Sequence, residues 1–276
     1  MNRTIIYLVF SLLFFSQPVY SQTQREDEIE ALRVSQQQRD SLLRVLFQQR
    51  HAIQDSVAAY SKALEYLERT LAIEEKVLGP EHPDVATSYN NIGFVSASQG
   101  DYVKAVEYFK RALSILEKVL GPEHPDVVTN YINIGSAYDE YGDYVMALEY
   151  YERALAIREK ILGPENPDVA TSYNNIGFVY DEQGEYVKAL EYYERALAIF
   201  EKVLGPEHPN VATIYNNIGF AYDKLGDYVK ALEYYEKALT IREKVFGPEH
   251  PNTISVKNNI LAVDLKIFKD SGAERQ

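Results

Sequence analysis

Apolar residues recur at steps of three and four through most of the chain, which is the spacing of one face of an α-helix. The stretch from Tyr102 to Leu116 shows this most clearly, with apolar side chains at positions 102, 105, 106, 109, 112, 113 and 116. Strand-like alternation of apolar and polar residues is absent from the sequence. The pattern therefore predicts an all-α fold.

The helical pattern consists of one sequence unit that is repeated several times. Copies begin at Leu78, Leu120, Leu162 and Leu204, so each starts 42 residues after the one before. A fifth start appears at Phe246, and upstream residues match the second half of the unit. The predicted organisation is a degenerate repeat over 36–77, complete repeats over 78–119, 120–161, 162–203 and 204–245, a C-terminal capping helix over 246–268 and a tail over 269–276.

Each unit predicts two helices. The first begins at a His-Pro or Asn-Pro pair, because proline's fixed φ and missing N–H suit a first helical turn. It ends at a glycine such as Gly142, and an acidic residue such as Asp143 then caps the second helix. A further glycine lies inside each first helix, where Gly costs about 1 kcal/mol relative to Ala. Its recurrence indicates a helix crossing too close for a side chain, at Gly93, Gly135, Gly177 and Gly219.

A helix pair of this size cannot bury its apolar face alone, but stacked copies can, so the repeat predicts a solenoid. The repeated signature of aromatic, aliphatic-Gly, Tyr, Ala, aromatic and Ala is carried here by Tyr173, Ile176-Gly177, Tyr180, Ala189, Tyr193 and Ala196. This signature resembles the tetratricopeptide repeat. The 42-residue form, with HPDVA, NNIG and ALAIREK, closely resembles the repeats of kinesin light chain over about residues 59–265. The resemblance implies antiparallel helix pairs stacked into a right-handed superhelix.

The N-terminus has the features of a secretory signal peptide over residues 1–21. A basic residue precedes an apolar run from Ile5 to Phe15, and cleavage after Ser21 places Val19 and Ser21 where small side chains are needed. The alternative is an uncleaved membrane anchor, but the run is shorter than the roughly 20 residues that span a bilayer. We therefore expect an exported protein, periplasmic or secreted, with an extension over 22–35 and no membrane insertion after cleavage.

Composition excludes several classes of function. The chain has 276 residues, no Cys, and a formal net charge of −13 from 28 Lys and Arg against 41 Asp and Glu. Without Cys there is no thiol catalysis, no disulfide and no thiolate metal site. An acidic chain is a poor candidate for binding nucleic acid through bulk electrostatics. We therefore expect no nucleic-acid partner.

A histidine recurs before the proline of most units and admits two interpretations. A shared metal site is disfavoured, because neighbouring repeats stack about 10 Å apart and zinc–nitrogen bonds are about 2.1 Å. Helix capping is favoured, since Asn166 occupies the same place in one unit and Asn is a good cap. Catalysis needs several unlike groups at one point, and the repeats offer none. The sequence thus predicts no enzyme, no cofactor and no metal at His82, His124, His208 or His250.

Asparagine also recurs once per unit, two residues before the mid-helix glycine or its equivalent, although it is a mediocre helix former. In tetratricopeptide proteins the first helix lines a concave groove, so the resemblance implies that these side chains face inward. A side-chain amide can donate to the C=O and accept from the N–H of one peptide group. Asparagines on helices about 10 Å apart would lie near every third residue of an extended peptide. The alternative is a hydrogen bond to a neighbouring helix that fixes the stack. The candidate peptide-binding ladder is Asn91, Asn133, Asn175, Asn217 and Asn259.

The same phasing places threonine and phenylalanine side chains along this groove, with Ser136 interrupting the aromatic row. The expected lining is Thr87, Phe94, Thr129, Thr171, Phe178, Thr213 and Phe220. An acidic border is expected at Asp139, Glu140, Asp181, Glu182 and Asp223. The cluster of Lys and Arg with which co-chaperone members hold a C-terminal carboxylate is missing from these positions.

These observations predict a non-enzymatic scaffold that holds a protein or peptide segment in the concave groove of a tetratricopeptide array. The alternative is the sensor part of an exported signalling system, free-standing or truncated. In that case a kinase or effector partner would be encoded separately, since the sequence ends at Gln276 without one.

Overall fold

The computed structural model describes residues 60–273, with side chains described for residues 60–269. The predicted signal peptide, the extension over 22–35 and the first half of the degenerate repeat lie outside the described residues. All regular secondary structure between residues 60 and 273 is helical. The helices are α1 (60–78), α2 (Pro83–Ser98), α3 (Tyr102–Leu120), α4 (Pro125–Tyr141), α5 (Tyr144–Leu162), α6 (Pro167–Glu182), α7 (Tyr186–Leu204), α8 (Pro209–Leu225), α9 (Tyr228–Phe246) and α10 (Pro251–Ala273).

The helices alternate as the repeat predicts, with α2, α4, α6 and α8 as first helices and α3, α5, α7 and α9 as second helices. From α2 onwards each helix packs against its neighbours in sequence. Contacts across the repeat boundary also join α6 to α8 and α8 to α10. The predicted solenoid of stacked helix pairs is confirmed.

The helix caps follow the sequence motifs. Nδ1 of His82 accepts the backbone N–H of Asp84 at 3.2 Å, and Oδ1 of Asn166 accepts that of Asp168 at 2.8 Å. The side chains of His124, His208 and His250 do the same, which confirms the capping interpretation. Asp101, Asp143 and Asp227 cap the second helices. The longer Glu185 forms no such bond, and its carboxylate lies 3.6 Å from Lys188 instead.

The mid-helix glycines lie where the two helices of a repeat cross. A Cβ at Gly177 would lie 2.8 Å from the ring carbons of Tyr193, and one at Gly93 would lie 2.6 Å from Phe109. Real Cβ atoms essentially never approach other atoms this closely. The predicted close crossing is therefore confirmed, and what fills it is an aromatic ring of the second helix.

Successive repeats are joined by apolar contacts and by one recurring hydrogen bond. A tyrosine hydroxyl on each first helix donates to a glutamate 14 residues earlier, near the end of the preceding second helix. The pairs are Tyr89–Glu75, Tyr131–Glu117, Tyr173–Glu159 and Tyr215–Glu201. Each repeat boundary from α1 to α8 thus carries a charge-assisted bond beside its apolar core.

The last helix, α10, continues to Ala273, beyond the end at residue 268 that the sequence predicts. Its inner face buries Val256 and Val263 completely. Its outer face is only partly polar, since Leu261 and Leu265 are 58% and 60% exposed, whereas a polar face is expected of a capping helix. No helix within residues 60–273 combines the length and hydropathy of a membrane span.

Candidate functional site

The residues predicted to line the groove lie on the first helices of successive repeats, and most of them are exposed. Phe94 and Phe178 keep 50% and 43% of their surface exposed, whereas Phe220 is half-buried. The four threonines are exposed, and each hydroxyl donates to the carbonyl of the proline four residues earlier. Their hydroxyl protons are thus used within their own helices. Thr87, Thr129, Thr171 and Thr213 therefore offer a partner a methyl group and an acceptor.

Two of the five ladder asparagines bond to the preceding repeat. The amide nitrogen of Asn217 donates to Oδ1 of Asn174 at 3.0 Å, and that of Asn259 donates to Oδ1 of Asn216 at 3.1 Å. Both bonds join residues 43 apart, one position more than the 42-residue period. At this end of the array the amides therefore link adjacent first helices, as the alternative interpretation proposed.

The other three ladder amides form no hydrogen bond with the described residues. Asn175 has no acceptor in the preceding repeat, because the position 43 residues earlier is Ile132. For Asn133 the corresponding acceptor is Asn90, which instead receives the amide of Asn130 at 2.7 Å. Asn91 is exposed, while Asn133 and Asn175 are half-buried. Three consecutive repeats thus keep an amide available on the groove helices.

Asn130 is a structural residue that the sequence analysis missed. It is completely buried, and it replaces the serine found at the same place in α2 and α6. The sequence signal is a break in the repeat, because the equivalent residue is serine in the preceding repeat (Ser88) and in the following one (Ser172). Breaks of this kind are visible in the sequence, but the partner of Asn130 is apparent only from the contact across the boundary.

Two cavities open between successive first helices. One of about 270 Å³ lies between α6 and α8 and is lined by Thr171, Asn174, Phe200, Asn210, Thr213 and Ile214. The other, of about 290 Å³, lies between α4 and α6 and is lined by Asp139, Glu140, Tyr141, Gly142, Tyr144, Phe178 and Glu182. Both combine polar groups with apolar walls, and both include residues of the predicted groove.

The predicted acidic border is present and is partly buried. Burial, followed by the charges of Glu140 and Glu182, raises the pKa of Asp139 to about 6. Burial, followed by the charge of Glu182, raises the pKa of Asp181 to about 7. The equivalent carboxylate of Asp223 receives the ammonium of Lys266 at 2.7 Å from both oxygens. Within the described residues, no group of three or more His, Asp or Glu side chains is placed to hold a metal ion.

The model of the tetratricopeptide repeat family matches overlapping stretches from residue 59 to residue 275. The matched stretches are 59–118, 84–160, 142–202, 168–244 and 212–275. This chain belongs to the tetratricopeptide repeat family.

Solved tetratricopeptide structures include close matches in shape. BtubC (BKLC) from P. vanneervenii aligns with 25% identity and a TM-score of 0.60 over 79% of this chain and 84% of that chain. A putative kinesin light chain with nearly identical TPR-like repeats from Podosopora anserina aligns with 29% identity and a TM-score of 0.60 over 68% of this chain and 89% of that chain. The predicted likeness to kinesin light chain repeats is confirmed.

A third similar structure is the apo form of RapI, with 20% identity and a TM-score of 0.61 over 74% of this chain and 54% of that chain. At this identity the similarity shows the fold alone. A comparison with curated protein sequences finds no match. The tetratricopeptide repeat is typical of scaffolds for protein–protein interaction, and its members are generally non-catalytic.

Proposed function

We propose that this tetratricopeptide protein is a non-enzymatic scaffold that holds an extended segment of a partner protein against α2, α4 and α6. The observation that carries the proposal is the coincidence, on these three helices, of exposed Phe94 and Phe178 with the available amides of Asn91, Asn133 and Asn175.

The two kinds of side chain supply different parts of the binding free energy. Burying a phenyl ring contributes about 1.5–3 kcal/mol through the hydrophobic effect, and the ring tolerates many partner sequences. An amide can pair with one peptide group through its donor and its acceptor. First helices about 10 Å apart present such a group to every third residue of an extended chain. The arrangement favours binding of backbone and apolar side chains over recognition of a single charged terminus.

The non-enzymatic part of the proposal is supported by the repetition of one surface. Catalysis requires different groups converging on one reacting atom, whereas adjacent repeats here present the same groups at the same phase. Protein binding requires only a surface that is complementary to the partner along several repeats.

Export is also part of the proposal, and it rests on the predicted signal peptide, which lies outside the described residues. Sequencing the N-terminus of the protein purified from its source cells tests it. A mature chain beginning at Gln22 supports export with cleavage, and a chain that retains residues 1–21 contradicts it.

Affinity capture from an extract of the source organism tests the scaffold function, with the double variant Phe94→Ser/Phe178→Ser as the comparison. Serine occurs naturally at this position as Ser136, so the fold should be retained, and circular dichroism verifies this. We expect the wild type to capture a partner that the variant loses. Equal capture by both proteins, or capture of nothing by the wild type, contradicts the proposal.

A further inference from the structure

An aspartate recurs at one position of the first helices, and the residue type at the corresponding position of the next first helix changes from repeat to repeat. Asp139 on α4, Asp181 on α6 and Asp223 on α8 are 42 residues apart. On the next first helix, the residue 43 positions after each aspartate differs in charge, and at the last boundary it forms an ion pair with that aspartate. That residue is Glu182 for Asp139, Lys224 for Asp181 and Lys266 for Asp223.

At the last boundary the chain fills the position with its own cation. The ammonium of Lys266 is 2.7 Å from both oxygens of Asp223, and it lies 5.8 Å from the centre of the Tyr228 ring. A carboxylate and an aromatic ring thus hold a lysine side chain at this place in the repeat, which is a favourable environment for an ammonium group.

At the boundary between α4 and α6 the equivalent aspartate and tyrosine are present, and Glu182 stands in the position of Lys266. Asp139 and Tyr144, which correspond to Asp223 and Tyr228, line the cavity of about 290 Å³ between α4 and α6. Glu182 and Phe178 form its other wall. Oδ1 of Asp139 is buried and has no hydrogen-bond partner among the described residues. The cavity therefore carries the groups that hold Lys266 elsewhere, with an extra carboxylate and an extra ring.

Two further buried polar groups, on α6 and α7, are also unsatisfied, although neither lines the cavity. Asp181 is 8% exposed, and its Oδ1 has no partner within the described part of the chain. The hydroxyl of the completely buried Tyr193 likewise has none there. Burial and then the charges of Asp181, Glu182 and Asp139 raise the pKa of Tyr193. Unsatisfied buried groups are costly, and a donor bound in the cavity would satisfy Oδ1 of Asp139.

We propose that the cavity between α4 and α6 binds a lysine or arginine side chain of the partner protein, held by Asp139 and Glu182 against the rings of Tyr144 and Phe178. This inference rests on the proposed function, because it names the chemistry of one residue in the bound segment. Phe178 lies both in the groove and in the wall of the cavity. A partner segment bound in the groove would therefore extend its basic side chain into the cavity beside this ring.

A titration of the ¹⁵N-labelled full chain with a capped lysine, N-acetyl-lysine methylamide, tests the cavity directly. The neutral analogue N-acetyl-norleucine methylamide has the same chain length without the charge. We expect the lysine probe, and not the norleucine probe, to shift the backbone amide signals of Gly142 and Phe178. Glu182→Gln should weaken this binding about tenfold, as expected for a lost charge-assisted contact. The control Glu149→Gln removes an exposed carboxylate of α5 that does not line the cavity and should leave binding unchanged.

Equal shifts from both probes, or no shifts at Gly142 and Phe178, would overturn the inference. The same holds if Ca²⁺ shifts these signals and capped lysine does not, since the site would then bind a metal ion.

A second measurement does not depend on any added ligand. Glu182→Lys places a lysine 43 residues after Asp139, where Lys266 stands relative to Asp223. We expect it to raise the melting temperature above that of Glu182→Gln and to abolish the response to capped lysine. A melting temperature no higher than that of Glu182→Gln means that the cavity does not accept an ammonium group. In the capture experiment, a partner retained by Glu182→Lys overturns this inference alone, whereas the absence of any partner contradicts the proposed function.

Discussion

The periodic asparagines have different surroundings in different repeats, although they occupy one phase of the sequence. Asn217 and Asn259 donate across a repeat boundary, whereas Asn133 and Asn175 do not because their acceptor positions are occupied or apolar. A side chain that recurs at every repeat can therefore stabilise the stack at one end and be available to a partner at the other.

The difference between bonded and available asparagines predicts different effects on stability and on partner binding for two matched double variants. Asn217→Ala/Asn259→Ala removes two inter-repeat hydrogen bonds and should lower the free energy of unfolding by about 1–3 kcal/mol in total. Asn133→Ala/Asn175→Ala removes no such bond and should change stability little while weakening partner binding. Urea denaturation followed by circular dichroism measures the first effect. Equal losses of stability in both variants would contradict this difference.

The raised pKa of Asp139 predicts a pH-dependent cost of its charge. Its folded pKa of about 6 exceeds the value of about 3.9 in an unfolded chain, so the protonated carboxyl favours the folded state. That contribution is complete below about pH 4 and is lost as the pH rises through about 6. Asp139→Asn should therefore stabilise the protein by about 1–2 kcal/mol at pH 8, after allowance for solvent screening, and by little at pH 4.

Unfolding in urea at the two pH values tests this expectation. Asp264→Asn serves as the control, because it removes an exposed carboxylate from α10. A gain that is the same at both pH values would show that the ionisation of Asp139 does not cause it.

At the scale of a helix pair, the crossing decides which residues the element tolerates. Gly177 meets the ring of Tyr193, and the same contact recurs between Gly135 and Tyr151 and between Gly219 and Tyr235. Helix propensity favours alanine over glycine, but the crossing has no room for its methyl group.

Whether Gly177→Ala raises or lowers the free energy of unfolding distinguishes helix propensity from crowding at the crossing. Propensity alone predicts that Gly177→Ala stabilises the protein by about 1 kcal/mol. The contact of 2.8 Å with Tyr193 predicts net destabilisation, by about 1–3 kcal/mol for an overpacked core. Ala198→Gly, at an exposed position of α7, measures the propensity difference in the same protein. A more stable Gly177→Ala variant would show that the crossing relaxes freely.

Most of each element could be predicted from the sequence, because local signals determine it. His-Pro pairs, terminal glycines and mid-helix glycines indicate where helices begin, end and cross, and the structure confirms each. The end of α10 and the missing cap at Glu185 depend on side-chain length and on contacts that no local motif encodes.

The candidate site was less accessible to prediction because polar side chains on neighbouring first helices pair at offsets of 43 or 40 residues and not at the 42-residue period. An alignment by the period compares Asp139 with Asp181, although the α6 carboxylate that lines the cavity with Asp139 is that of Glu182. It likewise compares Asn217 with Asn175, although its acceptor is Asn174. The residues were visible in the sequence, and their pairing required the structure.

At the scale of the molecule, a stack of equivalent pairs should tolerate the loss of a whole unit. Deleting residues 162–203 joins two equivalent repeat boundaries, so the shorter array should keep its helical content per residue and unfold at lower stability. Deleting only 162–182 removes one helix of a pair and should cause aggregation. Far-ultraviolet circular dichroism and size-exclusion chromatography distinguish the two outcomes. Loss of all helicity in the 42-residue deletion would contradict the repeat as the folding unit.

Site-specific photocrosslinking tests most directly whether the groove holds a partner segment. The photoreactive residue p-benzoylphenylalanine would replace Phe178 in the groove or, as a control, Glu236 on the exposed face of α9. After irradiation of intact source cells, we expect crosslinks between position 178 and one segment of a partner protein, and none from position 236. No crosslinked partner at position 178, or the same products from both positions, would contradict the assignment of the groove as the binding surface.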